Sequence, residues 1–268
     1  MKLIMLDMDG TLLNSEKKLT PVTIDSLRFV KELGIKVGIA TGRASFMIDN
    51  WIKQYNIADV IDYIVGYNGV EVKDCTNGTM EISDMMTPEM TSELAIKCRN
   101  MPWNIVAYDE HCRYAKVADS HIVGYSEKTG QPYAVYDFET GDRSWAKVSF
   151  YTFDNGIFTD EEFALMPPLM SDTYHGFKTS PFTFEVVNAN VSKVKGIQKV
   201  CDKLGITMDG VMAFGDSGND VEMLKAVGLG VVVSNGTSDA LAVADAITLS
   251  NDEDGVAHYL NTYFKRGE

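Results

Sequence analysis

Lys2-Leu3-Ile4-Met5-Leu6-Asp7-Met8-Asp9-Gly10-Thr11 is the stretch on which the fold turns. Lys2 to Leu6 is a short apolar run that stops at an acid and, three residues on, a glycine. It is too short for a helix and suits a strand buried on both faces, as in a parallel sheet. Downstream, Thr20-Pro21 offers an N-cap followed by proline at the first helical position. Ile24, Leu27, Val30 and Leu33 then recur at helical spacing, and Gly34 closes the helix. Ile35 to Ala40 is a second apolar run, Ser45 to Tyr55 a second helix, and Tyr63 to Gly66 a third strand. This alternation predicts an α/β sheet with right-handed crossovers.

The middle of the chain breaks the rhythm. From Ile82 to Pro181 aromatic, Met and Pro content rises, and short alternating stretches appear at Tyr133-Ala134-Val135-Tyr136 and Val148-Ser149-Phe150-Tyr151. Phe163 to Met166 has helical character. We read residues 82–181 as a separate α+β domain with an antiparallel sheet. The α/β pattern returns with a strand at Phe182 to Val187, a helix through Val194, Ile197, Val200 and Leu204, and a strand at Val211 to Phe214. It continues with a helix from Val221, a strand at Leu229 to Val233, a helix from Ser238, a strand at Ala246 to Leu249 and a helix from Val256. One α/β domain, residues 1–81 and 182–268, is interrupted by an insertion.

The composition bounds the function. Among 268 residues, 24 are Lys or Arg and 38 are Asp or Glu, a net charge of −14. Such a chain repels nucleic acid and anionic membranes at long range, so an anion site must be built locally. Cys75, Cys98, Cys112 and Cys201 show no C-x-x-C spacing and read as reduced thiols. The N-terminus meets Asp7 too early for a signal peptide, and no apolar run approaches the roughly 20 residues of a membrane helix. The expectation is a cytoplasmic protein with no nucleic-acid, membrane or obligate protein partner.

In open α/β sheets ligands bind beyond the carboxyl ends of the strands. The first strand ends in Asp7-Met8-Asp9-Gly10-Thr11, the second in Thr41-Gly42-Arg43, and another in Gly215-Asp216-Ser217-Gly218-Asn219-Asp220. In extended backbone, positions i and i+2 face one side, so the Asp7 and Asp9 carboxylates are expected to converge. Gly10 allows a sharp turn with free amides. Asp216 and Asp220 share one face of a strand-to-helix junction. Taken alone, either pair also describes an ordinary turn or cap. Four carboxylates together need a cation, and hard oxygen donors with few histidines suit Mg²⁺.

These residues carry a family resemblance. Asp7-Met8-Asp9-Gly10-Thr11-Leu12-Leu13 resembles the first motif of the haloacid dehalogenase (HAD) superfamily of phosphatases. Ile39-Ala40-Thr41-Gly42-Arg43, Val191-Ser192-Lys193 and Phe214-Gly215-Asp216-Ser217-Gly218-Asn219-Asp220 resemble the second, third and fourth. Asn251-Asp252-Glu253-Asp254-Gly255-Val256 is similar to a stretch typical of the Cof-type subgroup, subfamily IIB. The resemblance implies a Rossmann-like, doubly wound and mostly parallel core with a large inserted α/β cap. It implies a Mg²⁺-dependent phosphatase acting on a small phosphorylated metabolite, with sugar phosphates the leading class and pyridoxal phosphate and flavin mononucleotide as alternatives. In the roles it implies, Asp7 is the nucleophile that becomes an aspartyl phosphate and Asp9 is the general acid and base. Thr41 bonds a phosphoryl oxygen, and Lys193 balances charge. Asp7, the Asp9 main-chain carbonyl, Asp216 and Asp220 surround the metal. Similar sequences carry glycine directly after the third-motif lysine, whereas Lys193 is followed by Val194-Lys195-Gly196, so Lys195 stands as an alternative.

Gly10, Gly42, Arg43, Asn68 and Asn219 are candidate substrate contacts. Arg43 is equally suited to a salt bridge, and Asn68-Gly69 to a turn. Asn235 sits in Ser234-Asn235-Gly236 where similar proteins carry Gly-Asn-Ala, which weakens any role there. Trp103, Tyr108 and Trp145 could stack on a sugar or a planar ring, but such residues more often build a core, and His111, His121 and His175 fall in the insertion. Competing functions are a phosphosugar mutase using the same aspartyl phosphate, and a non-catalytic phospho-ligand binding or signalling protein.

Overall fold

The computed structural model describes residues 1–153 and 156–267. They form two compact units, residues 1–83 with residues 192 onward, and residues 84–191. The first unit begins with β1 (Leu3–Leu6), α1 (Pro21–Glu32), β2 (Lys36–Ala40), α2 (Ser45–Tyr55), β3 (Tyr63–Gly66), β4 (Glu71–Asp74) and β5 (Met80–Ile82). The second holds α3 (Pro88–Lys97), β6 (Trp103–Tyr108), β7 (Arg113–Ala115), α4 (Ser120–Thr129), β8 (Tyr133–Val135), β9 (Val148–Thr152), α5 (Asp160–Leu165), β10 (Tyr174–Ser180) and β11 (Thr183–Asn188). The first resumes with α6 (Lys193–Leu204), β12 (Val211–Gly215), α7 (Val221–Ala226), β13 (Leu229–Val233), α8 (Ser238–Leu241), β14 (Ala246–Thr248) and α9 (Gly255–Tyr263).

The first unit is an eight-stranded sheet in the order β14-β13-β12-β1-β2-β3-β4-β5. From β14 to β3 every pair is parallel; β4 and β5 add an antiparallel edge. The sheet is doubly wound. Ile4 and Leu6 pack with Leu27, Ile48 and Leu260 of α1, α2 and α9, while Leu3 and Met5 pack with Ile197, Val200 and Met223 of α6 and α7. All four β1 side chains are therefore buried, which is why the run reads as continuously apolar. Thr20 caps α1 by accepting from the Thr23 amide with Pro21 in its first turn, and Gly34 follows the helix at φ +77°.

One boundary differs from the expectation. Phe182 to Val187 reads as the return of the parallel sheet, yet Thr183–Asn188 is a strand of the second unit, antiparallel to both β10 and β9. A short apolar strand carries no mark of which sheet it joins. The second unit's sheet runs β10-β11-β9-β6-β7-β8 and is antiparallel except for the β7–β8 pair. Trp103 and Trp145 lie in its apolar core, Trp103 against Phe150 and Phe158 and Trp145 against Tyr114 and Phe138. Both rings therefore serve packing. Among the described residues no helix is long and apolar enough to cross a membrane.

Two glycines seat α6 on the sheet. A Cβ on Gly69, whose φ is +120°, would fall 2.3 Å from the Ser192 carbonyl oxygen, and one on Gly196 would fall 2.3 Å from Val65 Cγ1. Gly69→Ala is expected to destabilise the protein by on the order of 2–4 kcal/mol, from left-handed strain together with overpacking against backbone. Urea unfolding measures it; a midpoint within error of the parent would contradict this account of the contact.

Candidate active site

The chain leaves β1 in one direction toward β2 and returns on the other side as β12, so a topological switch point lies beside β1. Residues at the carboxyl ends of β1 and β12 face a natural crevice there. Leu3 and Met5 point toward α6; continuing the alternation puts Asp7 on that side as well. Lys193, the first residue of α6, meets it. Its Nζ donates to Asp7 Oδ1 at 2.5 Å and to Asp220 Oδ1 at 2.7 Å. All three side chains are buried. Ser192 caps the helix through the Lys195 amide, and Lys195 itself is exposed. Of the two lysines, the structure brings Lys193 to the acids.

Asp216 lies beside this triad. Its Oδ1 accepts from Thr11 Oγ1 at 2.7 Å, and its carbonyl accepts from the Thr237 amide at 2.7 Å. Asp220 Oδ2 closes the loop by accepting from the amides of Asp216 and Ser217, both at 3.1 Å. Asp7, Asp216 and Asp220 each offer a carboxylate oxygen within 4.8 Å of the others. Gly10 (φ +91°) gives this group room: a Cβ there would sit 2.6 Å from Asp216 Oδ2. Burial, with repulsion from Asp220 and Asp216, outweighs Lys193 and pushes the Asp7 carboxyl up to about 8. Burial chiefly raises Asp216 too, while for Lys193 the charges of Asp220 and Asp7 overcome burial and hold it protonated. A buried oxygen cluster in which Asp7 and Asp216 resist ionisation fits a hard divalent cation, which would relieve that repulsion.

Asp9 departs from the expected convergence. The chain turns at Met8, and the Asp9 carboxylate pairs instead with Arg43. Arg43 Nε donates to Oδ2 at 2.8 Å and Nη2 to Oδ1 at 2.6 Å, while Lys17 Nζ reaches Oδ1 at 3.0 Å. Burial raises this carboxyl, but the hydrogen bonds and charges of Arg43 and then Lys17 prevail and hold it below the ordinary range. The i, i+2 rule does not carry from Asp7 to Asp9 because the backbone turns at Met8, two residues after the strand ends.

Thr41 is buried at the end of β2; its hydroxyl accepts from the Arg43 amide at 3.2 Å. Its carbonyl and that of Arg43 accept from the amides of Asn68 and Tyr67, both at 2.9 Å. Those pairings hold Tyr67 and Asn68 at φ 47° and 57°, a left-handed conformation uncommon for a bulky aromatic. Gly42, Asn68 and Asn219 come together: a Cβ on Gly42 would lie 3.4 Å from Asn68 Nδ2, and Asn219 Nδ2 is 3.5 Å from Asn68 Oδ1.

Some contributions exceed what the motifs suggested. Asn235 Nδ2 donates to the Gly10 carbonyl at 2.8 Å, and its Oδ1 accepts from the Asn251 amide. Asn251 Nδ2 in turn reaches the Leu13 carbonyl, and Asp252 accepts from the amide and hydroxyl of Ser15. The stretch from Asn251 thus fastens the loop after β1. Thr11 had a signal, a hydroxyl directly after the glycine. Thr237 had none.

The haloacid dehalogenase-like hydrolase family model matches residues 4–260. The chain is 29% identical over 258 residues to the 5-amino-6-(5-phospho-D-ribitylamino)uracil phosphatase YcsE of Bacillus subtilis, covering 96% of this chain and 93% of that one. It superposes on the phosphatase BT1666 of Bacteroides thetaiotaomicron with a TM-score of 0.81 at 26% identity, covering 98% and 95% of the two chains. A subclass IIB sugar phosphatase, BT4131, shares the fold at a TM-score of 0.82 and 23% identity, over 98% of this chain and 99% of that one. With the family model matching across both units, this chain belongs to the haloacid dehalogenase-like hydrolases, as a phosphatase of the Cof type with the subclass IIB fold.

Proposed function

We propose that the protein is a Mg²⁺-dependent phosphatase that hydrolyses a small phosphorylated metabolite through an aspartyl phosphate on Asp7. The observation that carries this is the buried Asp7–Lys193–Asp220 triad with Asp216 beside it. Asp7 Oδ2, the oxygen not bonded to Lys193, attacks phosphorus in line with the leaving oxygen. Lys193 offsets negative charge on the phosphoryl group and on Asp7. Asp9 protonates the leaving oxygen and later takes a proton from the water that hydrolyses the aspartyl phosphate; such catalysis is typically worth about 10²–10⁴-fold. The Thr41 hydroxyl bonds a phosphoryl oxygen, and the backbone near Gly10 and Gly42 with Asn68 and Asn219 orients the substrate. Asp7, Asp216 and the Asp9 carbonyl would hold Mg²⁺, with Asp220 braced behind them through Lys193. When bound, the cation supplies charge to the transferring phosphoryl group.

For the substrate, we propose a phosphate monoester on a polyhydroxylated chain, a sugar phosphate or a close analogue. A relative named for a phosphorylated ribityl compound supports this class. Phosphate release across a panel of sugar phosphates, ribityl phosphates, pyridoxal phosphate and flavin mononucleotide tests it. Preference for pyridoxal phosphate would reject the polyol class, and transfer back to sugar rather than release to water would favour a mutase. Chelation is expected to lower turnover by several orders of magnitude, with Mg²⁺ restoring it; full activity in excess EDTA would remove the metal from the scheme.

A further inference from the structure

We infer that Asn235 is a positioning residue for the metal site: its side-chain amide holds the Gly10 carbonyl and so locks the loop after β1 against the loop that carries Asp216. The inference rests on the Mg²⁺ reading of the acidic cluster proposed above. The role of Asn235 is to support the ligands, not to touch the cation.

Gly10 is the loosest point of the loop. It follows Asp9, whose carbonyl is one of the proposed ligands, and it stands at φ +91°, a conformation that suits glycine, the residue with the most backbone freedom. The backbone bonds inside the loop run from the Leu12 amide to the Asp7 and Met8 carbonyls and from the Leu13 amide to Met8, so they pass over Gly10. Gly10 also lies against the Asp216 carboxylate, where a Cβ would fall 2.6 Å from Oδ2. A rotation at Gly10 therefore disturbs two proposed ligands at once, the Asp9 carbonyl and the Asp216 carboxylate.

Asn235 restrains Gly10 from outside the loop. It comes just after β13; its Nδ2 donates to the Gly10 carbonyl at 2.8 Å, and its Oδ1 accepts from the Asn251 amide at 2.9 Å. The Gly236 amide turns back onto the Val233 carbonyl at 2.8 Å, and the Thr237 amide donates to the Asp216 carbonyl at 2.7 Å. Thr11 Oγ1 completes a ring by donating to Asp216 Oδ1 at 2.7 Å. The ring runs from Gly10 to Asn235, along the chain to Thr237, across to Asp216, and through Thr11 back to Gly10. Two of its links, Asn235 to Gly10 and Thr11 to Asp216, can each be cut by one substitution. Groups that orient metal ligands in this way typically carry roughly 10–100-fold in affinity.

Mg²⁺ binding to the whole protein, measured by calorimetry beside urea midpoints in chelator and in Mg²⁺, is the test. Asn235→Ala is expected to weaken Mg²⁺ binding by about 10-fold, the lower end of that range because the position is exposed. Its midpoint in chelator should stay near the parent's, while the rise on adding Mg²⁺ shrinks. Thr11→Val, a change of the same shape at a buried position, should weaken binding by a similar factor. The double variant should lose far less than the product of the two, because one cut already opens the ring. Asn251→Ala releases the Leu13 carbonyl but keeps the backbone amide that bonds Asn235. It should lower the chelator midpoint and leave the Mg²⁺ affinity within about twofold, since the ring stays closed. Unchanged affinity in Asn235→Ala, a strictly multiplicative double variant, or an equal loss of affinity in Asn251→Ala would each overturn the inference. A parent that binds no Mg²⁺ would remove the metal reading first, and the inference with it.

Discussion

Asp7→Asn is expected to fold as the parent does and to lose phosphate release by on the order of 10⁴–10⁶-fold, the scale seen when a catalytic nucleophile is removed. An amide is no nucleophile toward phosphorus, yet its oxygen can still accept the Lys193 hydrogen bond, so the local structure should survive. The variant also has a stability signature. In cation-free protein, burial chiefly, with Asp220 and Asp216, raises the Asp7 carboxyl from the ordinary range to about 8. Between those two values the native state binds a proton that the unfolded chain has released. Stability contributed below the unfolded pKa is therefore lost as pH rises through about 8. Urea midpoints in chelator at several pH values should fall with pH for the parent and fall less for Asp7→Asn. Turnover comparable to the parent would end the covalent scheme, whatever the midpoints show.

Lys193→Met should lower stability in chelator by about 3–5 kcal/mol, because it leaves Asp7 and Asp220 buried and facing each other with no cation between them. The penalty comes from the stranded acids rather than from lost packing. Lys193→Met combined with Asp220→Asn should therefore recover much of it, and added Mg²⁺ should recover part. Turnover should fall sharply in both variants. Equal urea midpoints for parent and Lys193→Met would show that this ion network contributes little to holding α6 in place.

The signals that carried the fold were local and redundant. β1, β2, β3 and β12 are buried on both faces and ended by acids, hydroxyls or glycine, so apolar runs and their terminators marked them together. Asp7, Asp216 and Asp220 were found because each follows the end of such a strand, and Lys193, the first residue of α6, only through its place in the third motif. What escaped depended on contacts with no local trace. β11 looks like any other apolar strand, and only its pairing with β9 and β10 assigns it. Asp9 needed the turn at Met8, which the identity of Met8 does not announce. Asn235 was set aside because its neighbours differ from those in similar proteins, yet its contact with Gly10 depends on one amide group and not on those neighbours.

The position of β1 has a consequence for biosynthesis. It is flanked by β2 and β12, and its register with β12 pairs Leu3 with Val211. During translation at about 5–20 residues per second, one edge of β1 waits roughly 10–40 seconds for a partner still to be made. Throughout that interval a fully apolar strand edge is open to pairing with other chains, the hazard that chaperones shield. Residues 84–191, contiguous in sequence, need not wait. The nascent chain should thus acquire its inserted unit first and gain protease resistance around β1 only after β12 has left the ribosome.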